Sequence, residues 1–149
     1  MRAVVQRVSS AEVSVEGERV SRMGEGLLAF VGAGRRDGLD QADEMARRLV
    51  HLRVFPDEAG RMNRSLLETG GSLGVVSQFT LYGDARHGRR PFFGEAAAAE
   101  RAAPLIDALI AAAEGYGVSV VRGRFQAMMD VALVNSGPVT ILLDTDKLF

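Results

Sequence analysis

The sequence predicts a single α/β domain over residues 1–149, with more strand than helix. Apolar/polar alternation recurs over Arg2 to Val8 and Ala11 to Val15, which is the signature of half-buried strands. Two later segments instead carry apolar residues at helical spacing. Short apolar runs punctuated by glycine then return toward the C-terminus. The 149 residues, 47% hydrophobic and 25% charged, suffice for one buried core.

Arg2 to Val8 alternates, with Ala3, Val5 and Arg7 on one face and Val4, Gln6 and Val8 on the other. Ala11 to Val15 alternates again, and Glu16-Gly17 reads as a hairpin turn into Glu18 to Met23. Leu27 to Val31 is an unbroken apolar run that suits a strand buried on both faces. A helix follows, with Ala42, Met45, Ala46, Leu49 and Leu52 on one side and Asp37 or Asp40 as its cap. Arg53 to Phe55 is a short strand ended by Pro56, with a turn at Asp57 to Gly60.

Ser72 to Leu81 is the most strand-like stretch of the chain, and Tyr82 to Phe93 is a polar, arginine-rich loop. Glu95 to Glu114 is a second helix. Ala99, Ala102, Ile106, Leu109, Ile110 and Ala113 form its buried face, and Pro104 kinks its first turns or delays its start. Strands at Val118 to Val121, Met129 to Val134 and Val139 to Leu143 close the fold, the last two separated by an N-S-G-P turn.

Composition excludes several chemistries. With no cysteine there is no disulfide framework, thiolate metal site or cysteine nucleophile. No apolar run approaches the ~18 residues of a membrane span, and the start MRAVVQRV lacks the apolar core of a signal peptide, so the expected location is cytoplasmic. A net charge of −1 argues against coating nucleic acid by bulk positive potential, though not against a local site. Lys147 is the only lysine; every other basic side chain except the two histidines is an arginine, which suits planar, bidentate phosphate contacts.

Phosphate loops, dinucleotide fingerprints, nucleophile elbows and H-E-x-x-H motifs are all missing from the sequence. No metal site and no cofactor are expected. Of the two histidines, His51 falls near a helix end and His87 in a glycine–arginine loop, both poor places for a catalytic imidazole. An enzyme built from this chain works without the common side-chain apparatus.

Two segments stand apart. Ser77-Gln78-Phe79-Thr80-Leu81 alternates polar and apolar groups, with Ser77, Phe79 and Leu81 on one face and Gln78 and Thr80 on the other. Taken locally it reads first as an ordinary half-buried strand end. Asn135-Ser136-Gly137-Pro138-Val139-Thr140 reads well as a hairpin turn. Yet an X-Pro bond is where a cis peptide is accessible, and glycine lets backbone approach a ligand closely. Thr140 is a nucleophile only beside a base, and spacing reveals none.

These two segments, with G-R-F-Q-A-M-M between them, closely resemble the D-aminoacyl-tRNA deacylases. The resemblance spans the chain, including M-R-A-V-V-Q-R-V, G-E-G-L-L, Met62-Asn63 and G-G-S-L-G-V-V-S-Q-F-T-L. It implies a three-layer β/β/α sandwich with a mostly antiparallel, barrel-like strand arrangement and two main helices. It further implies a symmetric homodimer, and hydrolysis of the ester between a D-amino acid and the 3′-terminal ribose of tRNA. Glycine mischarged on alanine tRNA is a second implied substrate.

Carried over residue by residue, Gly137-Pro138 is the cis motif inserted into the partner's pocket, and Arg7 locks that turn. Ser77, Gln78, Phe79 and Thr80 line the aminoacyl pocket, with Ala127 and Met129 beside it. Thr80 and Thr140 match hydroxyls considered as nucleophiles, although an orienting role suits Thr140 better. The Arg86-His87-Gly88-Arg89-Arg90 loop suits phosphate contact at the tRNA acceptor end and is also compatible with a plain solvated loop.

The chain departs from the commoner family pattern at Ser136, where Asp is usual, at R-P-F-F over Arg90 to Phe93, and at Gln126, which replaces a small residue. Thr145 to Phe149 form an extra tail, read as a frayed end or a short packing strand. Rival readings are a non-hydrolytic tRNA 3′-end binding protein of the same fold, an acyl-transfer hydrolase with Thr140 or Ser77 as covalent nucleophile, and a structural module in which the motifs are only turns.

Overall fold

A computed structural model gives the fold, and residues 1–148 are described. The elements in order are β1 (Arg2–Val15), β2 (Glu18–Met23), β3 (Gly26–Gly32), α1 (Leu39–His51), β4 (Phe55–Pro56), β5 (Met62–Arg64), α2 (Leu66–Thr69), β6 (Ser72–Ser77), a 3₁₀ turn (Phe79–Tyr82), α3 (Ala99–Gly115), β7 (Val120–Arg122) and β8 (Asp130–Asp144). The main sheet runs β2-β1-β3-β6-β7, with β8 along the other edge of β1. β1 pairs antiparallel with β2, β3 and β8, whereas β3–β6 and β6–β7 are parallel. Each parallel pair is joined by a crossover that carries a helix, as parallel strands require.

β1 makes the architecture layered. Its two expected strands, Arg2 to Val8 and Ala11 to Val15, are one 14-residue strand. Ala3 and Val5 face the helices, in a core shared with Leu27, Ala29 and Val31 of β3. Val8, Ala11 and Val13 instead pack with Met23, Leu28 and Val76 in a second core on the opposite face. Side chains alternate strictly along a regular strand, so Val8 and Ala11 share a face only because the register against β8 shifts between Val8 and Ser10. The strand thereby passes from one sheet layer to the other, and the implied β/β/α sandwich results.

The helices cover the first core. Ala42, Met45, Ala46 and Leu49 of α1 are fully buried, as their spacing predicts. Asp37 does not cap this helix: its N-cap is Gly38, whose N–H donates to Gln41 Oε1 at 2.8 Å, and Asp40 lies inside the first turn. α3 starts at Ala99, so its beginning is delayed, and Pro104 lies within it. Leu105 joins its buried face, whereas Ala99 is only half-buried.

The strand expected over Arg53 to Phe55 is instead the Phe55–Pro56 edge of a small hairpin with β5. The short helix α2 was unexpected, although Ser65 and Glu68 spell its cap: Ser65 N–H donates to Glu68 Oε2 at 2.8 Å. The first residue of the tail packs, with Thr145 N–H donating to Met1 O at 2.9 Å, while Phe149 lies outside the described residues. Among the described residues no helix is long and apolar enough to cross a membrane.

The β3–β6 pairing depends on close backbone approach at Gly26, where an added Cβ would overlap the Ser72 carbonyl. Backbone cannot yield there as a side chain would. Gly26→Ala is expected to cost about 2–3 kcal/mol and to lower the melting temperature by roughly 5–10 °C. Thermal unfolding followed by circular dichroism measures it.

Candidate active site

β3 and β6 run parallel and end together, Val31 opposite Ser77. Open α/β sheets place ligands outside the carboxyl ends of such strands. Here the Gln78 N–H donates to Val31 O at 2.8 Å, one last ladder bond before the chain turns away. The strand expected to continue to Leu81 does not; Phe79 to Tyr82 form a 3₁₀ turn, so the two-faced alternation of S-Q-F-T-L is lost after Ser77.

Gly32 explains the turn. A Cβ at Gly32 would come within 2.8 Å of Gln78 O and 3.3 Å of the Tyr82 ring, so only glycine lets the turn fold back against β3. Tyr82 is buried beneath it, its Oη donating to Asp37 Oδ2 at 3.2 Å. Burial, reinforced by the Asp37 charge, pushes the Tyr82 phenol well above its ordinary pKa, so it stays a neutral donor. Arg2 lies 4.5 Å over the Tyr82 ring and donates from Nη1 to Leu81 O at 3.2 Å. The turn is pinned from below, and Phe79 is left 56% exposed above, edge-on to Phe93 at 5.2 Å.

A groove of about 700 Å³ opens between this turn, α3 and the segment Phe125 to Met129. It brings together Ser77, Gln78, Phe79, Thr80, Ala127 and Met129, six of the residues singled out in the sequence. Its walls also include Phe125 and Met128 of the G-R-F-Q-A-M-M segment, whose place in the groove no local spacing discloses. Among the described residues the lining carries no acidic, basic or histidine side chain. Its polar groups are the Ser77 and Thr80 hydroxyls, the Gln78 and Gln126 amides, and backbone.

Gly137, Pro138, Arg7 and Thr140 do not line this groove. Met129 to Val134 and Val139 to Leu143 are not two strands across a hairpin but parts of one strand, β8, which runs the whole length of β1. Gln6 to Val8, two steps on β1, is matched by Asn135 to Thr140, five steps on β8. The surplus residues bulge out as the Ser136–Val139 turn, in which the Gly137-Pro138 peptide bond is cis.

Arg7 holds this bulge, donating from Nε to Ser136 O at 2.8 Å and from Nη1 to Val54 O at 2.5 Å. Asn135, whose role the sequence did not disclose, brackets it. Its Oδ1 accepts from Val139 N–H at 2.7 Å and its Nδ2 donates to Val139 O at 3.1 Å. Thr140 Oγ1 accepts from Gln6 Nε2 and Asn135 Nδ2, each at 3.2 Å, so its neighbours are amides rather than a base. The bulge sits at the level of Leu27 on β3, more than about 10 Å along the strands from Val31.

The family model for D-Tyr-tRNA(Tyr) deacylase matches residues 4–144. The chain belongs to this family. It is 57% identical over 145 residues to the D-aminoacyl-tRNA deacylase of Roseiflexus sp. (strain RS-1), covering 97% of this chain and 94% of the relative. It is 52% identical over 149 residues to that of Desulforudis audaxviator (strain MP104C), covering both in full. Among solved structures, the c-Myc DNA unwinding element binding protein matches with a TM-score of 0.91 at 34% identity, over 97% of this chain and 99% of the other. A probable eukaryotic D-amino acid tRNA deacylase shares the fold, with a TM-score of 0.79 at 18% identity, over 95% and 97% of the two chains. The activity of this deacylase-family chain is hydrolysis of the ester in D-aminoacyl-tRNA, and aminoacyl-tRNA is its substrate.

The arginine-rich loop is clipped at its base by paired backbone bonds between Asp84 and Phe92, each 2.8 Å. Arg86 turns back onto Asp84, with Nε donating to Oδ1 at 2.9 Å and Nη2 to Oδ2 at 2.6 Å, and holds that carboxyl well below the usual range. Arg89 and Arg90, exposed like Arg86, are the loop arginines whose side chains make no ion pair among the described residues.

Gln126, the departure noted above, adopts a left-handed backbone with φ of 58° at the groove edge. A residue with a Cβ pays steric strain in that conformation, which glycine escapes. Gln126→Gly is expected to stabilise the fold by up to about 1 kcal/mol, read as a higher midpoint in urea.

Proposed function

We propose that the chain is a chiral proofreader that hydrolyses D-aminoacyl-tRNA, and glycine carried on alanine tRNA, while rejecting L-aminoacyl esters through backbone contacts. The observation that carries this reading is the groove without ionisable side chains. With no general base in the wall, the attacking water is activated by the 2′-hydroxyl of the terminal ribose. Backbone N–H groups at the head of the Phe79–Tyr82 turn, which have no intrahelical acceptor, receive the developing oxyanion. Water adds to the ester carbonyl carbon; the bond from that carbon to the ribose oxygen breaks; the ribose oxygen takes the proton. Free amino acid and tRNA leave.

Ser77, Gln78, Phe79 and Thr80 hold the ester in this scheme, with Ala127 and Met129 closing the pocket. Gly137-Pro138 supplies the filter from a second copy of the chain in a symmetric homodimer. Three features support that arrangement. The turn is rigidly held yet remote from its own groove, the outer face of β8 leaves Val134 and Leu142 exposed at 57% and 55%, and Phe79 and Met128 stand exposed on the groove rim. The turn's backbone positions the amino group and the Cα hydrogen of the substrate. An L side chain then runs into backbone, a D side chain points outward, and glycine offers nothing to reject. Thr140 orients Gln6 and Asn135 rather than attacking. The Arg89 and Arg90 side chains meet acceptor-end phosphates, and the expected location is the cytoplasm.

Deacylation of D-tyrosyl-tRNA and L-tyrosyl-tRNA, side by side with chelator present, tests the reading. Loss of only the D-ester is expected; equal loss of both sinks the backbone filter, and binding without loss of either points to a non-hydrolytic tRNA-end binder. Thr140→Ala is expected to retain activity within about tenfold, whereas removing a true nucleophile costs on the order of 10⁶. Gly137→Ala should abolish most D-ester cleavage. Its Cβ would stand 2.8 Å from Val139 Cγ2 and 2.9 Å from Arg7 Nη2 at a φ of 144°, and so displace the turn.

A further inference from the structure

A second cavity of about 260 Å³ adjoins the groove, between α3 and the segment Arg122 to Phe125. The two share Ser77, Ile106 and Phe125 as walls, so a chain leaving the groove past Phe125 enters this cavity directly. Its charges are unequal. Asp107 pairs with Arg122, whereas the Arg124 side chain, on the same wall, makes no hydrogen bond or ion pair among the described residues. The wall itself is fixed, because Gly123 N–H donates to Val75 O at 2.9 Å and ties the segment to β6.

We propose that this cavity receives the penultimate nucleotide of the tRNA 3′ end, with its phosphodiester bound by Arg124. The inference rests on the groove being the site of the terminal aminoacyl-adenosine. A nucleic-acid strand whose last residue fills the groove needs a neighbouring space for the residue before it. The 260 Å³ cavity provides that space and carries one uncompensated positive charge for one phosphate. A guanidinium matches phosphate oxygens bidentately, and the exposed Arg124 side chain is free to reach a phosphodiester at the cavity mouth. Contacts to phosphate carry no base information, so the site positions the strand without reading its sequence.

Three D-tyrosyl esters separate the alternatives: intact tRNA, the trinucleotide CpCpA, and adenosine, which lacks phosphate. Arg124→Ala is expected to raise KM about tenfold for tRNA and trinucleotide, with kcat unchanged, and to leave cleavage of the adenosine ester within about twofold. Arg124→Lys restores part of the loss, and the salt dependence of KM for the trinucleotide weakens in Arg124→Ala. The paired variant Arg89→Ala/Arg90→Ala serves as contrast, affecting tRNA but not the trinucleotide. An equal loss on the adenosine ester would overturn the proposal by showing a structural role, and so would an unchanged KM for the trinucleotide. Failure of the wild-type chain to cleave any of the three would refute the groove reading itself, a distinguishable result.

Discussion

The mismatch of register between β1 and β8 is the constraint on which the rest of the molecule hangs. Two antiparallel strands of unequal residue count must extrude the surplus, and here it leaves the sheet opposite Arg7. The same stretch of β1 carries the shift that moves its inward face from the helix-side core to the second core. Two adjacent irregularities divide the work: the shift between Gln6 and Val8 projects the Gly137-Pro138 turn, and the shift between Val8 and Ser10 creates the second layer. Such a turn is stiffer than a hairpin tip, since strand pairing continues on both sides of it and Arg7 and Asn135 hold its carbonyl and amide groups. A rigid projection is what a backbone filter requires.

The groove depends on a different exclusion of side chains. Gly32 lets the 3₁₀ turn collapse onto β3, and Gly34 leaves room for Tyr82, whose hydroxyl would lie 2.7 Å from a Cβ there. Tyr82 and Arg2 then hold the turn's underside while its upper edge faces the groove. Functional backbone must be fixed to about half an ångström to be useful. The chain achieves this with buried aromatic packing and hydrogen bonds on the side away from the groove. The groove wall can thus remain free of ionisable groups and still be ordered.

Periodicity disclosed the elements that packing governs. The doubly buried Leu27–Val31 run and the Ala42–Leu49 face of α1 stand where their patterns placed them, because apolar spacing and burial are the same physical fact. It failed where tertiary contact overrides local preference. Ser77 to Leu81 alternates like a strand, and only the glycine at position 32, far away in sequence, permits it to turn. Asn135 to Thr140 has the composition of a hairpin turn, yet pairing with β1 on both sides makes it a bulge. Asp37 looks like a cap but is drawn into the Tyr82 and Gly34 contacts, the latter at 2.5 Å. The residues gathered in the groove were legible from the family motifs, whereas Asn135, Tyr82 and Arg2 act through partners that no local spacing reveals.

In the proposed reading, a groove wall without titratable side chains among the described residues suits the task of a proofreading hydrolase. An aminoacyl ester beside a vicinal hydroxyl is already reactive, so the demanding task is discrimination rather than acceleration. A flexible catalytic side chain serves discrimination poorly, since it can rotate to accommodate either enantiomer. Backbone cannot, and the clash it imposes is paid in full by the wrong substrate. In the proposed reading the same economy sets the limit of the filter: a device that recognises an amino acid only by what it excludes has no means of refusing glycine. Selection against glycine would need a contact that measures a missing side chain, and an open groove of about 700 Å³ supplies none.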